Sequence, residues 1–300
     1  MKKTAVYLGN DRIQILTGNP SGGTLKVSYW YSQPLEEGII TNGIITAPEE
    51  LADQLKSLRA AKKLPAGALH LVIDSGTILN KLTTMPLAPH KKLQALVADE
   101  FAEAPQSRAS LLFDYSVVVP RNPEGNGGTV LCTATERSLV EGYIDLFTGL
   151  NNNLLSIRLG LDCTISLCDF LPELRGKNFI LLLLDGKTLV SMLFFQGAYF
   201  FSQRYRLLEQ RGTSRSVDEL HQRVSYIQQF HKSQLGEAEL HGLYLCGLED
   251  GENDLAAALQ TDMEISCQEL TTSSVLPAKK AAGNGFRLSD YGYTAGCLLP

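Results

Sequence analysis

The chain has 300 residues, 44% of them hydrophobic and 20% charged, with a formal net charge of −5. That length suits about two domains, and the apolar content builds a large core and excludes a disordered tail. The absence of a basic arm or Lys/Arg-rich helix excludes a nucleic-acid footprint, and the six cysteines, scattered without a C-x-x-C pair, read as reduced core thiols rather than disulfides or a metal site.

The start, Met1-Lys-Lys-Thr4, is too short and too polar for a signal peptide. Ala5–Leu16 then reads as a strand, a tight turn at Gly9-Asn10-Asp11 and a second strand. Gly22-Gly23 turns the chain into a third strand, Leu25–Tyr31. Thr46 and Glu49 form a capping-box pair with Pro48 near the first helical turn, and Leu51, Leu55 and Leu58 make an apolar helical stripe. Leu69–Ile73 is a short buried strand. The block that follows breaks the alternation, with Ile78–Met85 extended, Pro89–Ala104 helical, and Phe113–Val119 and Thr129–Thr135 as strands around a turn-rich Pro120–Gly128. Glu136–Leu150 is a helix, Leu154–Leu159 a strand and Asp162–Leu171 a helix that crosses to a second lobe.

The second half repeats the opening. Phe179–Asp185, Thr188–Phe195 and Ala198–Arg204 are three strands joined at Asp185-Gly186-Lys187 and Gln196-Gly197. These polar and glycine residues also cut the apolar stretch 179–201 to strand lengths, so no membrane span is expected. Ser216–Glu219 is another capping-box pattern before a helix faced by Leu220, Val224, Ile227 and Phe230. Leu243–Cys246 is a strand ending in Gly247, Asp254–Gln260 a helix, Met263–Cys267 a strand, 271–286 a mobile loop and Tyr291–Leu299 a final helix. A duplicated βββαβα order, interrupted in the first copy alone, predicts an α/β protein with helices on both sheet faces. The expected organisation is a first lobe, 1–160, with core segments 1–77 and 136–160 and an inserted subdomain 78–135, then a second lobe, 161–300.

A three-strand meander opening each half is the plan of the actin-like, ribonuclease-H-like ATPase fold. Four segments add a closer resemblance: Gly38-Ile-Ile-Thr-Asn-Gly-Ile-Ile running into the first helix; Leu82-Thr-Thr-Met-Pro before a helix bearing Glu100; Phe113-Asp-Tyr-Ser-Val-Val; and Phe201-Ser-Gln-Arg, then 216–230, then Leu245-Cys-Gly247. In order and spacing these resemble the PilM family of type IV pilus assembly proteins, relatives of FtsA. The resemblance implies a cytoplasmic protein, peripheral to the inner membrane, that binds the N-terminal cytoplasmic tail of a PilN-like bitopic membrane protein and couples a pilus platform to its motor ATPases. It implies a peptide along the inserted subdomain, with Leu82, Met85, Leu87 and Tyr115 as contacts or, alternatively, as ordinary core. The last helix ends early for that family, which leaves room for a native chain running beyond Pro300.

The nucleotide chemistry of the fold is degenerate here. Such ATPases place a carboxylate and a glycine in each phosphate turn, the glycine for close approach of backbone N–H groups and the acids for Mg²⁺ and water. In the first turn Gly9 is kept but the acid position holds Tyr7. Asp11 is expected to point elsewhere, and Arg12 could hold a phosphate but not a metal. In the second turn Asp185, Gly186 and Thr188 are remnants of the motif or the residues of a two-residue hairpin. The adenosine-side Gly-Gly is Gly247-Leu248, where leucine would obstruct close approach. Candidates for any binding of ATP with Mg are therefore Gly9, Asn10, Asp11, Asp185, Gly186, Thr188 and Gly247, with no catalytic residue and no metal ligand assigned. Asp74-Ser-Gly-Thr77 mimics a phosphate turn but lies, by order, at the passage into the inserted subdomain. Arg204 and Arg206 are expected as surface charges. The five histidines lack ligand spacing, and no Walker loop, Gly-x-Ser-x-Gly elbow or dinucleotide fingerprint is present. The expected function is a pseudo-ATPase scaffold. An active actin-like ATPase using Asp11 and Asp185, and a GspL-like cytoplasmic domain of type II secretion, remain open.

Overall fold

A computed structural model of the chain describes residues 2–122, 125, 127–252, 254–263, 265–271, 274–278 and 285–299. The chain opens with β1 (Lys3–Leu8), β2 (Arg12–Ser21) and β3 (Thr24–Pro34), an antiparallel meander. A short hairpin, β4 (Ile40–Thr41) and β5 (Ile44–Ile45), leads to α1 (Pro48–Ala60) and then β6 (Ala68–Ile73), which pairs parallel to β1. The chain then leaves this sheet for β7 (Leu79–Met85), α2 (His90–Asp99), β8 (Leu111–Val119) and β9 (Gly128–Glu136), a small antiparallel sheet in the order β7-β9-β8. It returns through α3 (Arg137–Gly149) to β10 (Asn153–Leu159) and crosses over on α4 (Gly160–Phe170).

The second sheet is β11 (Phe179–Asp185), β12 (Thr188–Phe195) and β13 (Ala198–Arg206), then α5 (Ser214–Leu235), β14 (Gly242–Cys246), α6 (Leu255–Met263) and β15 (Cys267–Glu269). The chain closes with α7 (Gly292–Leu298). The sheet orders β10-β6-β1-β2-β3 and β15-β14-β11-β12-β13 are the same arrangement used twice.

Side-chain parity sorts the cores. Successive strand residues point to opposite faces. Val6 and Leu8 of β1 face outward onto α1 and α3, joining Leu51, Leu55, Tyr143 and Phe147. Ala5 and Tyr7 face inward, toward the other lobe. In β11, Ile180, Leu182 and Leu184 pack outward with Leu220 and Val224 of α5 and Leu259 of α6, while Phe179, Leu181 and Leu183 join Ala5 and Tyr7 in a central cluster with α4 and α7. Because both faces of β11 are covered, its residues are all buried and its sequence is an unbroken apolar run.

Several local expectations are corrected. Thr46 does not cap α1; its hydroxyl donates to the carbonyls of Gly38 and Ile39, and the N-cap is Ala47 with Pro48 in the first turn. The box at α5 is Thr213 with Ser216, one turn earlier than expected. Glu219 lies inside that helix, and its carboxylate accepts the N–H groups of Leu208 and Glu209 from the incoming loop. α6 runs to Met263, and the strand after it begins only where parallel pairing to β14 starts, at Cys267. The expected loop 271–286 lies partly outside the described residues. Its 274–278 stretch runs along β3, with Leu25 N–H donating to Val275 O at 2.8 Å and Val27 N–H to Pro277 O at 2.9 Å. All six cysteines are buried and unpaired.

Candidate functional site: the cleft between the lobes

Parity places the key side chains. Tyr7 continues the inward series of β1, Asp185 continues that of β11, and Asp74, just past β6, continues that of Val72. All three therefore enter the space between the lobes, close to the two meander turns.

Tyr7 is 2% exposed, and its hydroxyl donates to Asp185 Oδ2 at 2.5 Å across the cleft. Burial first, then the nearby negative charge of Asp185, raises the Tyr7 hydroxyl well above its ordinary range, so it stays a donor. Burial first, then Asp11, pushes the Asp185 carboxyl up from 3.8 to about 6, against the opposing pull of Arg12 and of the Tyr7 bond. Arg12 binds Asp11 through two 3.0 Å bonds and approaches Asp185 at 3.8 Å and Glu249 at 3.6 Å. Asp11 does not point away as expected. It lies against the second turn, where a Cβ built on Gly186 would come within 2.7 Å of Asp11 Oδ2.

The turns themselves differ. Gly9 N–H donates to Arg12 O at 2.9 Å, and a Cβ on Gly9 would lie 2.8 Å from Tyr7 Cε1. The glycine kept in the first turn gives room to the tyrosine ring. Asn10 accepts from Gly43 N–H at 3.1 Å, tying the turn to the β4–β5 hairpin. In the second turn Asp185 pairs with Thr188, leaving Gly186-Lys187 as a two-residue loop. Gly186 has φ +53°, which suits the first loop position of a hairpin turn that takes glycine there.

On one side of this pair, Asp74 is bound by Arg204 from β13 and accepts from Tyr293 Oη at 3.1 Å. The Tyr293 ring meets the Tyr7 ring edge-on at 4.9 Å. Arg204 is thus a lobe-to-lobe ion pair rather than the expected surface charge, while Arg206 is exposed. On the other side, the side chain of Arg211, 8% exposed, binds Glu252 through two bonds, Glu249 at 3.0 Å and the Gly247 carbonyl at 2.7 Å. Gly247 has φ +76°, and a Cβ there would lie 1.9 Å from Leu184 O. Leu248 does not obstruct the cleft; it is buried in the outer core of the second lobe. The cavity left among Tyr7, Arg12, Asp185, Gly247 and Tyr293 is about 20 Å³, roughly one water's worth.

Tested for ATP with Mg, the residues in this arrangement do not fit. Tyr7 stands where one acid is needed, Asp185 is held by Tyr7, and the Arg211–Glu252 pair fills the stretch beside Gly247. Among the described residues, no group of three or more His, Cys, Asp or Glu could hold a metal ion. Arg204, Arg211, Glu252 and Tyr293 were outside the expected site, and nothing in the local sequence marks them.

The inserted subdomain also has two faces. Leu82 points inward toward the central core. Met85 is 5% exposed and packs with Leu93, Val97, Val130 and Cys132 beneath α2. Tyr115 packs on that same cluster and bonds His90 at 2.8 Å, and Leu87 is 41% exposed. The structure does not bring these four together as one surface. No described helix is long and apolar enough to cross a membrane.

No protein-family model matches the sequence, and no curated protein matches it significantly. Solved structures do. A PilM-PilN type IV pilus biogenesis complex superposes with a TM-score of 0.80 at 15% identity, over 99% of this chain and 96% of that one. The ethanolamine utilization protein EutJ from Carboxydothermus hydrogenoformans gives 0.57 at 9% identity, over 100% and 89%. The fold is actin-like. The cytoplasmic domain of EpsL, an inner membrane component of the type II secretion system of Vibrio cholerae, reaches only 0.47 at 10% identity, over 81% of each chain. Within the actin-like frame, the Tyr7–Asp185 bond occupies the meeting point of the two meander turns.

Proposed function

We propose that the chain is a PilM-like scaffold of a type IV pilus, or related secretion, assembly platform and that it does not hydrolyse ATP. It binds the N-terminal cytoplasmic tail of a PilN-like bitopic protein, sits in the cytoplasm against the inner membrane, and links that platform to the motor ATPases. The likeness to a PilM-PilN complex over 99% of the chain supports the frame of this reading. The observation that carries it is the Tyr7–Asp185 bond, which spends the remaining turn carboxylate on contact between the lobes. Three arginines in the cleft, Arg12, Arg204 and Arg211, are likewise each bound to carboxylates of the chain and carry no free charge for a phosphate.

Calorimetric titration with Mg-ATP tests the claim. The expected result is no heat beyond dilution at millimolar nucleotide. Tight binding that Asp185→Ala abolishes would overturn it and restore the ATPase reading. Titration with a synthetic peptide of the partner's cytoplasmic tail tests the other half, with saturable binding unaffected by Mg-ATP as the expected outcome.

A further inference from the structure

A second cavity, of about 330 Å³, lies where the two lobes and the inserted sheet meet. Leu82 of β7 and Leu161 of α4 form one side, and Val190 and Met192 of β12 with Phe201 of β13 form the other. A bulge at Phe200 turns successive residues of β13 toward this space, and β8 lies against the same strand. Asp74 and Arg204 form the inner end. The lining is polar as well as apolar, so a ligand for it needs a polar head and an apolar body.

Most polar side chains of this lining are already used within the chain. Ser75 Oγ donates to Asn42 O at 2.6 Å, Ser202 Oγ bonds Tyr199 Oη at 2.8 Å, and Asn80 Oδ1 accepts from Thr133 Oγ1 at 3.0 Å. The inner end differs. The Asp74 side chain is 8% exposed, and its Oδ2 takes both Arg204 Nη2 and the Tyr293 hydroxyl. Among the described residues its Oδ1 has no hydrogen-bond partner, and neither have Nε and Nη1 of Arg204. Oδ1 is not sealed in protein, and the cavity that Asp74 lines is what it opens onto. A carboxylate oxygen so nearly buried calls for a donor. The inner end thus offers an acceptor beside free N–H donors, on an ion pair with no net charge.

We infer that this cavity is a binding site for a small neutral amide, an aromatic carboxamide or lactam. Its N–H donates to Asp74 Oδ1, its carbonyl accepts from Arg204 Nε or Nη1, and its ring lies against Leu82, Leu161 and Met192. An amide carries donor and acceptor side by side without charge. A carboxylate ligand would meet Asp74, and an ammonium would meet Arg204. A zwitterion would shed the hydration of two full charges to reach a pair that is already neutral. The volume is at the small end for ligand cavities, which limits the apolar body to about one or two rings. The site does not depend on the tail-binding reading.

Titration of the full chain with benzamide, followed by ligand-observed NMR, tests it, with benzoate, benzylamine, acetophenone and phenylglycine as comparisons. Benzamide is expected to bind with a Kd of roughly 1 mM, and each of the others at least about tenfold more weakly. Asp74→Asn leaves the Arg204 charge unpaired, so the order should reverse, with benzoate at least about tenfold tighter than benzamide. Leu161→Phe narrows the cavity while keeping Asp74 and Arg204, and should weaken benzamide at least about tenfold. No binding of benzamide by the native chain leaves the cavity to water and overturns the site. Equal binding of benzamide and acetophenone, or tighter binding of phenylglycine, overturns the amide assignment. An order unchanged in Asp74→Asn, or binding that Leu161→Phe leaves intact, puts the ligand elsewhere and overturns the proposal. Should Asp74→Asn fail to fold, the native order and Leu161→Phe decide.

Discussion

The two meander turns share a strand plan and use their glycines for opposite ends. In the first turn Gly9 needs no left-handed backbone; its missing Cβ makes way for the Tyr7 ring. In the second, Gly186 takes φ +53° to close a two-residue hairpin, and its side-chain space belongs to Asp11 of the other lobe. One turn presents an aromatic hydroxyl and the other a carboxylate, and the two bond each other at 2.5 Å. A frame that can hold a ligand between two turns is held here by the turns themselves. Little space is left between the turns, because Tyr7 is large, buried and a hydrogen-bond donor to Asp185.

The strongest way to break that asymmetry is Tyr7→Asp. It removes a fully buried ring, a change that costs about 3–5 kcal/mol in cores, and sets a second carboxylate against the buried Asp185. Urea unfolding at pH 7 should show a loss of that size, with no recovery on adding Mg-ATP. A loss below about 1 kcal/mol would mean the two turns do not depend on each other.

The next test uses pH. Asp185 has its folded-state carboxyl raised from 3.8 to about 6. The folded protein therefore keeps a proton that the unfolded chain has released across that window, and the contribution of Asp185 to stability falls as pH rises through it. Relative to the native chain, Asp185→Asn should gain about 2 kcal/mol between pH 4 and pH 6.5. Glu252 runs the other way. Burial would raise its carboxyl, but the Arg211 bond and the Glu249 N–H outweigh it and hold it below the usual range. Its contribution is present at neutral pH and lost on acidification. Stability curves for Asp185→Asn and Glu252→Gln, each referenced to the native chain, should slope in opposite directions. Parallel slopes would refute the assignment of the two carboxylates to opposite environments.

Much of this was legible in the sequence. Strand parity alone sends Tyr7, Asp74 and Asp185 into the space between the lobes, and the apolar stripes of α1 and α5 follow the 3.6-residue period. What parity does not report is who meets whom. Arg204 reaches Asp74 across 130 residues, Tyr293 reaches it across 219, and Arg211 finds Glu252 across 41. Each arginine sits in a segment whose local pattern suits a solvated charge equally well. The same limit explains Thr46 and Glu219. Each has the spacing of a cap, but loop carbonyls drew Thr46 away and loop N–H groups drew Glu219 away.

The finest test concerns Gly9, whose position in the first turn invites a nucleotide explanation. The geometry gives a different one. A methyl group at residue 9 would stand 2.8 Å from Tyr7 Cε1 and 3.1 Å from its Oη. That ring cannot retreat, because its hydroxyl is held by Asp185 and its edge by Tyr293. Gly9→Ala should then cost about 1–3 kcal/mol, the usual effect of overpacking. If the ring is the whole cause, Gly9→Ala should cost almost nothing in a Tyr7→Leu background, where no ring occupies the space. A double-mutant cycle in urea would therefore show a coupling close to the full cost of the single change. A cycle in which the two costs simply add would separate Gly9 from Tyr7 and return the glycine to the backbone role that Gly186 plays in the second turn.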